Sequence, residues 1–235
     1  MMLFMFWMAC TSPKPAGPAS AHEVVVVERG GSFGEALPTV VALHGLGDTP
    51  EDFVRSLERF PGKVRVVSVG GLEPWPNGGH AWWTTRMASE DWDALAADIG
   101  SASDAIAPLL ARLDADPSVC GKPVVTGFSQ GGMLSFALAS REQEHVAAAL
   151  PIGGMVFPGV AQGPYVTTVA LHGEDDLRVS YANTQRAVGE LETAGEDVVL
   201  QSFPGVGHSI SPLMRETWYR ELRRLLPTCD APGGE

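Results

Sequence analysis

Short runs rich in valine recur along this chain: Val24–Glu28, Thr39–His44, Val64–Val69, Pro123–Gly127, Val146–Ile152, Val166–Leu171 and Val198–Phe203. Most are too apolar to keep one wet face, which is how strands buried in a parallel sheet read. Between them apolar residues return at helical spacing over Glu51–Phe60, Asp91–Leu113, Met133–Ser140, Thr184–Thr193 and Pro212–Leu226. The long second stretch begins among the acids Glu90, Asp91 and Asp93, as a helix N-terminus prefers. Gly195 suits a C-cap, and Ser211 before Pro212 suits an N-cap with proline at the first helical position. Strands alternating with helices predict an α/β fold, a mainly parallel central sheet covered by helices on both faces. No repeat or second boundary interrupts the body, residues 23–226, which lies between an N-terminal stretch, 1–22, and a short tail, 227–235.

One junction in this pattern carries chemistry. In "VVTGFSQGGMLSFALA" a strand runs into Gly127-x-Ser129-x-Gly131 and a helical pattern leaves it. This is the spacing of a nucleophile elbow. The serine backbone is strained so that its hydroxyl stands clear at the carboxyl end of the sheet. The chain two residues on either side passes so close that a Cβ would collide. The next residue, Gln130, then offers its backbone N–H to an oxyanion. The plainer reading is a tight turn between a strand and a helix.

A serine hydroxyl needs a base, and the base needs an orienting acid. Elbow enzymes place them in the order Ser, Asp or Glu, His, each after a later strand. After the strand ending at Leu171 comes "HGEDDLRVS", with Glu174, Asp175 and Asp176; after the one ending at Phe203 comes "PGVGHSISP", with His208. Both loops fall at the carboxyl ends of strands, the rim where open α/β sheets bind ligands. A lone loop histidine is usually solvated, and acids in such a turn usually serve the turn backbone. It is the set in order that points to a triad.

"LHGLGDTP", "GFSQGG", "LHGEDDLRV" and "GVGHS" resemble the four signatures of the phospholipase/carboxylesterase family of α/β-hydrolases, which includes the acyl-protein thioesterases. The likeness runs from about Glu23 to Leu226. It implies the α/β-hydrolase fold and a Ser129, Asp176, His208 triad, since the family's His-Gly-x-x-Asp-x-x-Val places the acid at Asp176 with Val179 in phase. It also implies that Leu46 gives the second oxyanion donor through its backbone N–H, while His44 packs or hydrogen-bonds in that loop. One segment departs from the family. Where thioesterase-like members carry a Ser-Trp-Phe-Asp type sequence, this chain has "GHAWWTTR". Trp82 and Trp83, with Trp75 nearby, either wall an apolar acyl pocket or belong to the core. The implied activity is hydrolysis of a carboxylic ester or thioester of a small or lipid-like acyl group, with no cofactor and no metal. Alternatives are a secreted polyester or feruloyl-ester hydrolase, a peptidase on the same scaffold, and a silent binding protein.

A formal net charge of −12 argues against a nucleic-acid partner. The opening "MMLFMFWMA" is wholly apolar, Cys10 follows, and "TSPKPAGPASA" reads as a tether. This resembles a bacterial lipoprotein signal without its basic start, in which Cys10 is acylated and anchors an exported protein to a membrane. The alternative is a cytoplasmic enzyme with an apolar tail. Export would leave Cys120 and Cys229 as a pair in an oxidising compartment, both on the side of the sheet away from the serine, and so a disulfide is expected.

Overall fold

The computed structural model describes residues 22–31, 34–157 and 159–229; Cys10 and its apolar run lie outside them. In chain order the elements are β1 (Val24–Arg29), β2 (Thr39–Leu43), α1 (Pro50–Arg55), β3 (Val64–Val69), the two-residue strands β4 (Glu73–Pro74) and β5 (His80–Ala81), and a 3-10 turn (Met87–Ser89). Then come α2 (Trp92–Asp114), β6 (Val124–Phe128), α3 (Gln130–Arg141), β7 (Ala148–Ile152), β8 (Thr168–Gly173), α4 (Tyr181–Ala194), β9 (Val198–Phe203) and α5 (Pro212–Leu225).

Seven strands form one sheet in the order β1-β3-β2-β6-β7-β8-β9. All neighbours are parallel except β1, which runs antiparallel to β3 at the edge. Strand side chains alternate between two covered faces, which is why the valine runs carry no polar period. Val41, Leu43, Val67 and Val69 meet α2 and α3 through Leu95, Ile99, Ile106, Leu110, Leu134 and Leu138. Val40, Ala42, Val64, Val66 and Val124 meet α1 and α5 through Phe53, Met214, Trp218 and Leu222. The fold is the one the alternation predicts. Helix α2 is long and apolar enough to cross a bilayer by composition, but its stripe of Leu95, Ile99, Ile106 and Leu110 is spent on the sheet.

Some boundaries move. The valine run of β1 reads as buried on both faces, yet Val24 and Val26 are 41% and 54% exposed because an edge strand here has only one covered face. Helix α1 stops at Arg55, and residues 56–58 continue as turns bonded three residues back. Helix α3 starts at Gln130, three residues before the predicted Met133, because Gly131 and Gly132 lie inside its first turn. Beneath the sheet, Cys120 and Cys229 form a disulfide with Cα atoms 5.6 Å apart. The residues beside it pack closely, since a Cβ on Gly121 would come within 2.9 Å of Pro227.

Candidate active site

Ser129 joins β6 to α3 with φ 57° and ψ −114°, a conformation that L residues rarely adopt. Glycines hold it there. A Cβ on Gly131 would lie 2.0 Å from the Leu43 carbonyl oxygen, and one on Gly127 would lie 2.5 Å from the Gly131 carbonyl. With no side chain in between, the first turn of α3 rests directly on the end of β2, and the serine hydroxyl is lifted above the sheet.

His208 lies in the loop after β9 and Asp176 in the loop after β8. The two loops are stitched together: the Glu174 amide donates to the Phe203 carbonyl at 3.0 Å and the Asp175 amide to the Val206 carbonyl at 3.0 Å. Gly173 allows this approach, as a Cβ there would meet the Val206 oxygen at 2.1 Å. The His208 Nδ1–H donates to Asp176 Oδ2 at 2.6 Å, so Nε2 accepts the Ser129 hydroxyl proton at 2.9 Å. Phe128 supports the imidazole, with ring centroids 4.7 Å apart. The structure thus brings together all three side chains expected of a triad. Of the acids in this loop Asp176 faces the histidine, while Glu174 and Asp175 are exposed.

Asp176 is deeply buried, and burial alone would raise its pKa. The hydrogen bond from His208 and the amides of Val179 (3.0 Å) and Arg178 (2.9 Å) outweigh burial, so the carboxyl sits below its usual range and stays ionised. A second imidazole, overlooked in the sequence, stands behind it. His172 donates through Nε2 to the Val179 carbonyl at 3.0 Å, and the same nitrogen lies 3.3 Å from Asp176 Oδ2. Burial pushes the His172 pKa down, which keeps it neutral. Its place next to last in the strand that leads into the acid-bearing loop was the signal the sequence offered.

The loop after β2 faces the serine. Gly45 passes so near that an added Cβ would lie 3.2 Å from the Phe128 ring and 3.5 Å from Ser129 Cβ. The Leu46 amide meets no acceptor among the described residues, whereas those of Gly47 and Asp48 donate to His80 and Gly45 carbonyls. The Gln130 amide is among the orphan donors of a helix's first turn. His44 braces this loop: Gly71 N–H donates to its Nε2 at 3.0 Å, so Nδ1–H donates to the Gly45 carbonyl at 2.7 Å. Burial lowers the His44 pKa, and the imidazole is neutral.

The two tryptophans separate. Trp83 lines a cavity of about 610 Å³ together with Leu46, Trp75, Ser129, Gln130 and His208. Trp82 does not line it; it is buried, and its indole N–H donates to the His44 carbonyl at 2.9 Å. The expectation of an acyl wall is therefore corrected for Trp82, whose N–H is used to fix the loop. The Gln130 side chain, unnoticed in the sequence, accepts from Trp82 N–H at 3.0 Å and donates to the Trp83 carbonyl at 3.0 Å. Among the described residues no three His, Cys, Asp or Glu side chains are grouped to hold a metal ion.

A serine within reach of an imidazole, an ionised acid behind it and two free amides in front can carry out acyl transfer. The model of the phospholipase/carboxylesterase family matches residues 22–224. The chain is 27% identical over 199 residues to the esterase YpfH of Escherichia coli (strain K12), covering 80% of this chain and 83% of that one. It is 24% identical over 219 residues to acyl-protein thioesterase 1 of Gibberella zeae, covering 80% and 91%. Among solved structures, esterase PE8 superposes with a TM-score of 0.76 at 22% identity, over 88% of this chain and all 100% of that one. Zea mays acyl-protein thioesterase 2 gives 0.67 at 21% identity, over 86% and 98%.

Proposed function

Because the chain belongs to the phospholipase/carboxylesterase family, a family of serine hydrolases, we propose that it cleaves carboxylic ester or thioester bonds through Ser129, His208 and Asp176. The observation that carries this reading is the unbroken hydrogen-bond chain, 2.9 Å from Ser129 to His208 and 2.6 Å from His208 to Asp176.

Ser129 Oγ attacks the acyl carbon as its proton passes to His208 Nε2. Asp176, ionised, holds the ring in the tautomer that can accept this proton and balances the imidazolium. The carbonyl oxygen becomes an oxyanion and takes the N–H groups of Leu46 and Gln130. The bond from the acyl carbon to the leaving oxygen or sulfur breaks, and His208 returns its proton to that atom. Water then attacks the acyl-enzyme as its proton passes to His208; the bond from the acyl carbon to Ser129 Oγ breaks, His208 returns that proton to Oγ, and the acid leaves.

A fluorophosphonate probe tests the assignment. It should label the wild-type protein and not Ser129→Ala, and Asp176→Asn should lower kcat on p-nitrophenyl esters by on the order of 10⁴-fold. Labelling that survives Ser129→Ala would refute it.

We also infer export as a lipoprotein anchored at Cys10. The apolar run before that residue supports this, as does the Cys120–Cys229 bond, of a kind that persists in oxidising compartments. Wild-type protein in the membrane fraction and Cys10→Ala in the soluble one is the expected outcome; equal solubility refutes it.

A further inference from the structure

Two cations line the cavity in front of Ser129, Arg86 from the segment after Trp83 and Arg178 from the loop that carries Asp176. Both come from a chain in which acids outnumber bases, 28 to 16. Elsewhere Arg55, Lys63, Arg65, Arg141, Arg220 and Arg224 each reach a carboxylate; Arg59, Arg112 and Arg223 meet none among the described residues, but they do not line this cavity. The guanidinium groups of Arg86 and Arg178 meet no acceptor among the described residues. Their backbones are nevertheless anchored. Arg178 N–H donates to Asp176 Oδ1 at 2.9 Å, and the Arg86 carbonyl accepts from Ser89 N–H at 3.0 Å and from its hydroxyl at 2.6 Å. The other charged or titratable members of the lining are Asp48, one of whose oxygens accepts the Thr49 amide at 2.9 Å, and His208. Glu174 and Asp175 precede Arg178 in the same loop, but neither lines the cavity. The rest of the wall is largely apolar, including Trp75, Trp83, Met87, Met133 and Val179.

Two like charges left unpaired over one cavity repel each other, and an anionic occupant removes that repulsion. Guanidinium groups also match the planar fork of a carboxylate or the oxygens of a phosphate. We propose that Arg86 and Arg178 make this cavity select esters that bear a carboxylate or phosphate on the acyl or the leaving group. This rests on the reading of Ser129 as the nucleophile, and it adds a substrate class to it.

The test compares kcat/KM for matched pairs of esters. On the acyl side, mono-p-nitrophenyl glutarate is set against p-nitrophenyl butyrate. On the leaving-group side, 4-carboxyphenyl butyrate is set against 4-carbamoylphenyl butyrate. In one of the two pairs the wild-type protein should favour the anion by roughly tenfold or more, the scale of two charge-assisted contacts at a partly open site. Added salt should shrink that ratio, and in Arg86→Gln/Arg178→Gln it should fall to near unity. The pair that responds tells which side of the ester carries the charge. No anion preference in either pair, or a preference that survives the double substitution, overturns the proposal while leaving the nucleophile in place. If no ester of either kind is turned over, the reading of Ser129 falls, and the proposal with it.

Discussion

Gln130 joins two parts of the site, and Gln130→Ala measures how much. The side chain is buried and bridges the backbone N–H of Trp82 and the carbonyl of Trp83, both at 3.0 Å. Alanine suits the first turn of α3 but leaves one donor and one acceptor unpaired. Each such group costs about 1–3 kcal/mol. The Trp83 side borders the cavity, where water can reach, so a total of about 3 kcal/mol is reasonable. For a domain of this size that is a fall in Tm of about 6–12 °C. Activity should fall as well. Trp82 fixes the His44 carbonyl through its indole at 2.9 Å, so freeing the tryptophan segment loosens the loop that presents the Leu46 amide. Displacing an oxyanion donor by a fraction of an ångström should lower kcat by about ten- to a hundredfold. The assay pairs thermal unfolding with p-nitrophenyl ester kinetics. A variant within about 1 °C of wild type with unchanged kcat would show that the bridge holds nothing, and that the reasoning from buried partners to loop placement fails.

Other outcomes follow from the same structure. The Cys120–Cys229 bond closes a loop of 109 residues, so Cys229→Ser should cost about 2–4 kcal/mol, seen as a lower urea midpoint that reductant no longer shifts. A wild-type midpoint indifferent to reductant would contradict this. His44 and His172 are buried with pKa values below the ordinary 6.5, so as pH falls through 6.5 the unfolded chain gains protons that the native one resists. Stability is therefore full above that value and declines below it. Asp176, whose pKa is depressed, adds stability that is present above the unfolded carboxylate range and lost as pH falls below it. His172→Gln should flatten the slope of Tm against pH between 6.5 and lower values, and an unchanged slope would argue against a neutral buried imidazole.

Much of this was legible in the residues. Valine runs marked the strands, and the order of Ser129, the acid-bearing loop and His208 follows from where an α/β sheet puts its carboxyl ends. The phase of the acid was not legible from spacing, because Glu174, Asp175 and Asp176 stand side by side. In space the amides of Arg178 and Val179 and the imidazole of His208 all meet the carboxylate of Asp176. Trp82 and Trp83 could not be separated for a similar reason: both are large, apolar and nearly fully buried, and they differ only in which way the chain turns between them. Gln130 bonds the backbone of Trp82 and Trp83, and His44 Nε2 that of Gly71, all far along the chain, while His172 bonds Val179 across its own loop; no periodic pattern encodes such partners.

The dihedral angles at Ser129 set the working centre against the rest of the molecule. A side chain held at φ 57° and ψ −114° costs about 1–3 kcal/mol, and that energy is released only by a residue without a Cβ. Ser129→Gly should therefore unfold at a higher temperature than Ser129→Ala, even though glycine normally weakens the start of a helix, and both should be inert. The difference between the two melting curves would weigh the tension this protein carries to keep one hydroxyl raised.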